Sequence, residues 1–272
     1  MAVLAIHDLS CVSKSSITVV LPVMEALGVE TAVLPASILS TQTDGFEDVE
    51  IIDNTDGMER ILSAFGRCGI GFDGVYTGYL GSPEQIDIAI SAVSTFGKSV
   101  LVDPAMGDDG VLYPALPDDI CSHMLKLVKR ADIITPNLTE AKMLTGLDDV
   151  PARLGQRDIK DLIDVLRSYG PEKGVITSVP LVAGGLGNAA WNGGEIRLFN
   201  YEDLGVSVPG AGDLFASVLY ALIIRGDSFF GSVLHAGEIA SLTVSESIRM
   251  KRERRMGISL QPALKEIVRR ML

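Results

Sequence analysis

The chain has 272 residues, 47% of them hydrophobic, with a net charge of −12 and an isoelectric point near 4.7. That length accommodates one large α/β domain with a sizeable core, and the acidic balance argues against a nucleic-acid binder, which needs a basic face. Mean hydropathy is +0.32, yet the apolar stretch from Leu214 to Ile224 spans only eleven residues and contains Ser217, which fits a buried helix and not a membrane span.

The predicted elements alternate along the chain. Val3 to Ile6 reads as a buried strand, Ile17 to Leu27 as a helix stopped by Gly28, and Thr31 to Leu34 as the next strand. Asp56 to Phe65 has helical periodicity. Gly74 to Thr77 is a short strand, and a helix from Pro83 to Phe96 leads to a strand at Ser99 to Val102. Cys121 to Lys129 is helical, Asp132 to Ile134 a strand, and Asn137 to Leu144 a helix placed between Pro136 and Gly146. Ile159 to Tyr169 and Gly174 to Thr177 repeat the helix and strand pair. Such alternation implies an α/β fold with a mostly parallel sheet covered by helices on both faces. The glycine-punctuated stretch from Val182 to Phe199 breaks the rhythm and reads as an antiparallel hairpin extension. Three helices follow, Asp213 to Ile224, Phe230 to Ile248 and Pro262 to Met271. No linker, low-complexity tract or repeat divides the chain, so residues 1–272 read as a single domain.

Cys11, Cys68 and Cys121 form neither a metal spacing nor a disulfide framework, and the first residues lack the pattern of a signal peptide; both point to the cytoplasm. The basic run Arg249, Lys251, Arg252, Arg254 and Arg255 reads as the solvated end of a helix. His7, His123 and His235 have no ligand or triad spacing, and Gly184-Gly185-Leu186-Gly187 reads as a hairpin turn and not a dinucleotide loop.

In a parallel sheet, ligands bind beyond the carboxyl ends of the strands. Polar residues recur at those points: Thr77-Gly78-Tyr79, Asp103 to Asp108, Thr135-Pro136-Asn137 with Glu140, and Thr177-Ser178. Asp103, Asp108 and Glu140 suit Mg²⁺ among nucleotide phosphates, while Asn137, Thr177 and Ser178 suit the phosphates themselves or bound water. Asn137 and Glu140 also have the spacing of a capping box, and the two Asp-containing segments also read as turns. Gly210-Ala211-Gly212-Asp213 opens directly into an apolar helix. Free N–H groups and the positive end of the helix dipole meet there, which favours an anion, and a carboxylate at the same point can accept a proton from an alcohol. Together these features point to phosphoryl transfer from a nucleotide to a hydroxyl.

Taken in order, Asp103-Pro-Ala-Met-Gly-Asp108, Ile134-Thr-Pro-Asn137 with Glu140-Ala141 and Leu144-Thr-Gly146, Val175-Ile-Thr-Ser178 and Gly210-Ala-Gly-Asp213 resemble the ribokinase-like superfamily, above all its pyridoxal kinase branch. Thr77-Gly-Tyr79-Leu-Gly-Ser82 and the opening strand followed by Asp8-Leu-Ser10-Cys11-Val12 are similar to that branch as well. The resemblance implies ATP-dependent phosphorylation of the 5′-hydroxyl of a vitamin B6 form. It implies Asp213 as the base, with Gly210, Ala211 and Gly212 forming the anion hole. Asp103, Asp108 and Glu140 fall around Mg²⁺ and phosphates; Asn137, Thr177 and Ser178 face ATP; Ser10, Thr43 and Tyr79 touch the vitamer. It further implies a homodimer and a monovalent cation such as K⁺. This chain has Ala211 where many members of the branch have threonine, and Cys11 to Ser16 lacks their His-Val and Gly-Asn pattern. The alternatives are a kinase for hydroxymethylpyrimidine or another small alcohol, and a non-catalytic nucleotide- or vitamer-binding protein.

Overall fold

The computed structural model describes residues 1–147 and 149–271. In chain order they form β1 (Ala2–Val12), α1 (Ile17–Ala26), β2 (Glu30–Thr41), β3 (Ile51–Asp53), α2 (Thr55–Arg67), β4 (Gly74–Thr77), α3 (Pro83–Phe96), β5 (Val100–Val102), β6 (Gly107–Asp108) and β7 (Val111–Leu112). They continue with α4 (Ile120–Val128), β8 (Ile133–Ile134), α5 (Leu138–Thr145), α6 (Gln156–Ser168), β9 (Lys173–Pro180), β10 (Leu186–Asn192), β11 (Glu195–Tyr201), α7 (Ala211–Ile224), α8 (Phe229–Arg249) and α9 (Leu260–Met271).

The main sheet has nine strands in the order β11-β10-β9-β8-β5-β4-β1-β2-β3. The six from β9 to β2 run parallel, and β10, β11 and β3 attach antiparallel at the two edges. The α/β architecture and the hairpin extension are therefore as the sequence pattern implies. The short apolar runs form the central strands because both faces are covered: Val3 to Ile6, Val75 and Val100 to Val102 are at most 3% exposed. One face packs against α2 to α6, the other against α1, α7, α8 and α9. α7 is apolar nearly all round, and Leu214 to Ala221 are all buried, so it serves as the central helix of its layer.

Local signals fix the helix starts nearest the strand ends. Ser82 accepts from the Gln85 amide at the head of α3, with Pro83 following in the first turn. Asn137 and Glu140 close a reciprocal capping box on α5, and Gly146 ends that helix in the left-handed region. Because β1 pairs with β2 on one side and β4 on the other, the chain reverses its winding at β1, which opens a crevice over the ends of β1 and β4.

Three features depart from the sequence reading. β1 and β2 run on through Val12 and Thr41, well past the apolar cores that announce them, and β3 and the β6–β7 hairpin carry no signal strong enough to read. The basic run starts at the end of α8, as expected, with Arg249 in its last turn, but it continues past the helix, where Arg252 and Arg254 donate to loop carbonyls.

Candidate active site

Of the expected strand-end residues, Asp103 lies within range of the Asp213 charge in the first turn of α7. Gly210, with φ +87°, is the N-cap residue; a Cβ there would run into the Lys14 carbonyl oxygen. The turn thus needs glycine both for its backbone and for the close approach of the 13–16 loop. Ala211 donates its N–H to the Val208 carbonyl at 3.2 Å. Among the described residues the Gly212 and Asp213 amides have no protein acceptor, so these two, not Ala211, are the open donors of the turn.

Asp213 is half-buried in the first turn of α7, and its carboxylate accepts from the Ser16 N–H at 2.8 Å. Burial pushes its pKa up to about 6; the Ser16 amide opposes this, and the Asp8 charge adds to it. Ser16 adopts φ 48°, an uncommon backbone for a residue with a side chain, in order to present that amide. Its hydroxyl bonds to Asp8, as does that of Ser10 (3.1 Å), and the Ser15 hydroxyl reaches Ser10 at 3.3 Å. Asp8 is only 4% exposed, and burial raises its pKa against the pull of these hydroxyls. Tyr79, half-buried beyond β4, has its hydroxyl pushed up to about 12 by burial and by the nearby Asp8 charge. Ser10, Tyr79 and Asp213 therefore share one polar pocket centred on Asp8. Sequence reasoning did not single out Asp8 as a site residue, although an acid following the apolar Val3 to Ile6 run demanded partners.

On the other side of Asp213 lies a carboxylate cluster. Burial first, then the charges of Glu140 and Asp213, hold the Asp103 carboxyl well above the ordinary range. Glu140 is 3% exposed; burial raises its pKa to about 7, opposed by the amides of Asn137, Met106 and Gly107. Its two oxygens accept from Met106 N–H at 3.0 Å and Asn137 N–H at 2.9 Å. Asp108, raised mainly by burial, accepts from Ser207 Oγ at 3.3 Å. Tyr113, on the segment after β7, has its hydroxyl raised by burial and then by the charges of Glu140, Asp108, Asp103 and Asp213; no local pattern announces it.

Asn137 and Thr177 pair through an isolated parallel bridge, which brings the ends of β8 and β9 side by side, and the Asn137 amide also donates to Gly107 O at 2.8 Å. Ser178 is exposed, with φ 54°, at the irregularity between β9 and β10, its N–H donating to Asn188 Oδ1 at 3.2 Å. Thr43 stands apart: its loop packs on residues 254–255, and its side chain makes no hydrogen bond to the other candidates among the described residues.

Asp103 and Asp108 offer carboxylate oxygens of the kind a hard divalent cation takes. Glu140 and Asp213 raise the proton affinity of Asp103, and Asp108 raises that of Glu140, a repulsion that a bound cation relieves. Among the described residues no group of three or more His, Cys, Asp or Glu is arranged to hold a metal ion. Mg²⁺ does not need one, because it keeps waters and takes phosphate oxygens alongside one or two carboxylates. Glu140, with both oxygens already engaged by amides, is suited to a more distant role than Asp103 or Asp108.

Comparison with known proteins gives the family and the fold. The phosphomethylpyrimidine kinase family matches residues 17–257. The pyridoxal kinase of Arabidopsis thaliana is 28% identical over 175 residues, covering 57% of this chain and 54% of the plant protein. The crystal structure of Lactobacillus plantarum pyridoxal kinase superposes with a TM-score of 0.91 at 28% identity, covering 99% of this chain and 97% of that one. A Bacteroides thetaiotaomicron protein provisionally named phosphomethylpyrimidine kinase, in a crystal form with pyridoxal, gives a TM-score of 0.87 at 30% identity, covering 98% and 95% of the two chains.

Proposed function

The chain belongs to the phosphomethylpyrimidine kinase family and, within that ribokinase-like group, to the pyridoxal kinase branch; from this we propose that it transfers the γ-phosphoryl group of ATP to the 5′-hydroxyl of pyridoxal, pyridoxine or pyridoxamine. The observation that carries this reading is the position of Asp213. It joins the Asp8, Ser10 and Ser16 pocket by hydrogen bonding and the Asp103 and Glu140 cluster by charge. A base at that junction touches both an alcohol on one side and a phosphoryl group on the other.

In the proposed reaction Ser10, Tyr79 and Thr43 hold the vitamer, and Asp213 takes the proton from its 5′-hydroxyl as the oxygen attacks the γ-phosphorus. A base with a pKa about 6 is ionised at neutral pH yet basic enough to accept that proton. The Gly212 and Asp213 amides, at the positive end of α7, face the charge developing on the transferred group. Asn137, Thr177 and Ser178 line the nucleotide side. Mg²⁺, held by Asp103 and Asp108 with Glu140 behind them, neutralises phosphate charge when bound. Residues 1–272 act as one catalytic domain in this reading, with a homodimer and a monovalent cation as its further expectations.

The second reading, a hydroxymethylpyrimidine kinase, draws support from the family description itself. A panel of the three vitamers and hydroxymethylpyrimidine, each with ATP and with Mg²⁺ present or chelated, separates the two. Mg²⁺-dependent turnover with kcat/KM highest on a vitamer is expected. Higher kcat/KM on the pyrimidine transfers the assignment to the second reading, and no turnover on any of the four overturns both.

A further inference from the structure

The connector after α8 contains a 3-10 turn, Arg254–Met256, and three loops of the site are attached to it. Ile258 N–H donates to Pro209 O at 3.0 Å, next to the anion turn. Lys14 N–H donates to Met256 O at 3.2 Å, which ties on the loop that delivers Ser16 to Asp213. The third loop is 42–46. Gln42 is 7% exposed; its amide group donates to Arg255 O at 3.0 Å and to Asp44 O, while its oxygen accepts from Asp44 N–H at 2.7 Å. A Cβ at Gly45 would sit 3.0 Å from Arg255 Cβ, and the Arg255 guanidinium lies 5.1 Å from the centroid of the Phe46 ring.

Arg254 closes this arrangement. Its Nη1 pairs with Asp44 at 2.6 Å while its Nε donates to Ser207 O at 2.7 Å, and the Ser207 hydroxyl reaches Asp108. An isolated exposed ion pair is worth little. This guanidinium instead uses two edges of its planar fork at once, in directions a lysine cannot serve together. It bridges the loop that holds Thr43 to the segment that runs into Gly210.

We propose that Arg254 is a positioning residue for phosphoryl transfer, a latch that, through Asp44, holds the 42–46 loop and its Thr43 against the anion turn so that the alcohol is presented to Asp213. The proposal rests on the kinase reading above and adds to it a residue outside the expected machinery. Its chemistry is selective: without the latch, presentation of the vitamer suffers, whereas Asn137, Thr177 and Asp103, which serve the nucleotide, remain in place.

The test compares wild type with Arg254→Gln, Asp44→Asn and the double variant, using pyridoxal and Mg-ATP. Each single substitution is expected to raise the pyridoxal KM about five- to tenfold, with the ATP KM changed less than about twofold in Asp44→Asn, which does not touch Ser207 or Asp108, and the double variant is expected to match the worse single one. Additive losses, equal shifts in both KM values of Asp44→Asn, or unchanged kinetics overturn the latch. Hydrogen exchange at the amides of residues 43–46, measured without ligands, provides an arm independent of substrate. Faster exchange in both single variants with unchanged melting is expected, and wild-type exchange rates overturn the proposal. Absence of wild-type turnover would count against the kinase reading alone, because the exchange arm still decides the latch.

Discussion

Asp213→Asn is expected to make the protein inactive and more stable at the same time. The carboxylate is raised from 3.8 to about 6, mainly because the fold desolvates it. A raised acid binds its proton more tightly in the native state than in the unfolded chain, so stability falls as pH rises from about 4 to about 6, and the full cost is present above that window. The shift of about two units corresponds to about 3 kcal/mol at pH 7.5 and about half of that at pH 5. Asparagine removes the charge while its carbonyl oxygen still accepts from Ser16 N–H. Thermal melting at pH 7.5 should therefore rise by about 6 °C, with a smaller gain at pH 5. In the same variant kcat should fall at least about a hundredfold, because a general base is typically worth two to four orders of magnitude. In wild type, kcat/KM should decline below about pH 6 as the base is protonated. A variant that melts lower than wild type at pH 7.5, or that keeps a tenth of the activity, would refute the assignment of Asp213 as a desolvated base.

Two other substitutions probe the frame around it. Gly210→Ala sets a side chain at φ +87° and against the Lys14 carbonyl; a loss of more than about 2 kcal/mol in urea unfolding is expected. Gly212→Ala, with open space around its Cβ position, should instead be neutral or slightly stabilising, and equal losses at both positions would contradict the close-approach argument. Glu140→Ala leaves the amides of Met106 and Asn137 without acceptors and should cost about 2 kcal/mol, whereas Glu140→Gln, which keeps one acceptor oxygen, should cost less; the order is checked by denaturant midpoints.

The parts of this molecule that could be read from the chain are those whose cause is local. Asn137 and Glu140 sit three apart because each satisfies the other's backbone, and the spacing announces α5 before any fold is known. Gly210 lies directly before an apolar helix, and the strand ends are marked by Asp103, Thr135 and Thr177 where apolar runs stop. What escaped is what distant segments impose on one another. Asp8 lies within β1 and becomes a site residue only because the 13–16 loop folds back to give it Ser16, and because Asp213, about two hundred residues on, takes the neighbouring amide. The basic run reads as a helix end by composition, but α8 stops at Arg249, and the arginines beyond it find carbonyls and a carboxylate on loops that the sequence places far away.

The same contrast explains why the site is negative. The chain carries 35 acidic and 23 basic residues. The Arg254 guanidinium lowers the Asp108 carboxyl, while burial raises Asp103, Glu140 and Asp213. A binding module for a free triphosphate would gain from lysines and arginines at this point. Carboxylates close enough to repel, as Glu140 and Asp213 repel Asp103, instead disfavour a bare polyanion and accept it together with a divalent cation. On the proposed kinase reading this repulsion favours the metal-bound nucleotide over the free one, while Asp213 owes its raised proton affinity first to burial and then to the Asp8 charge.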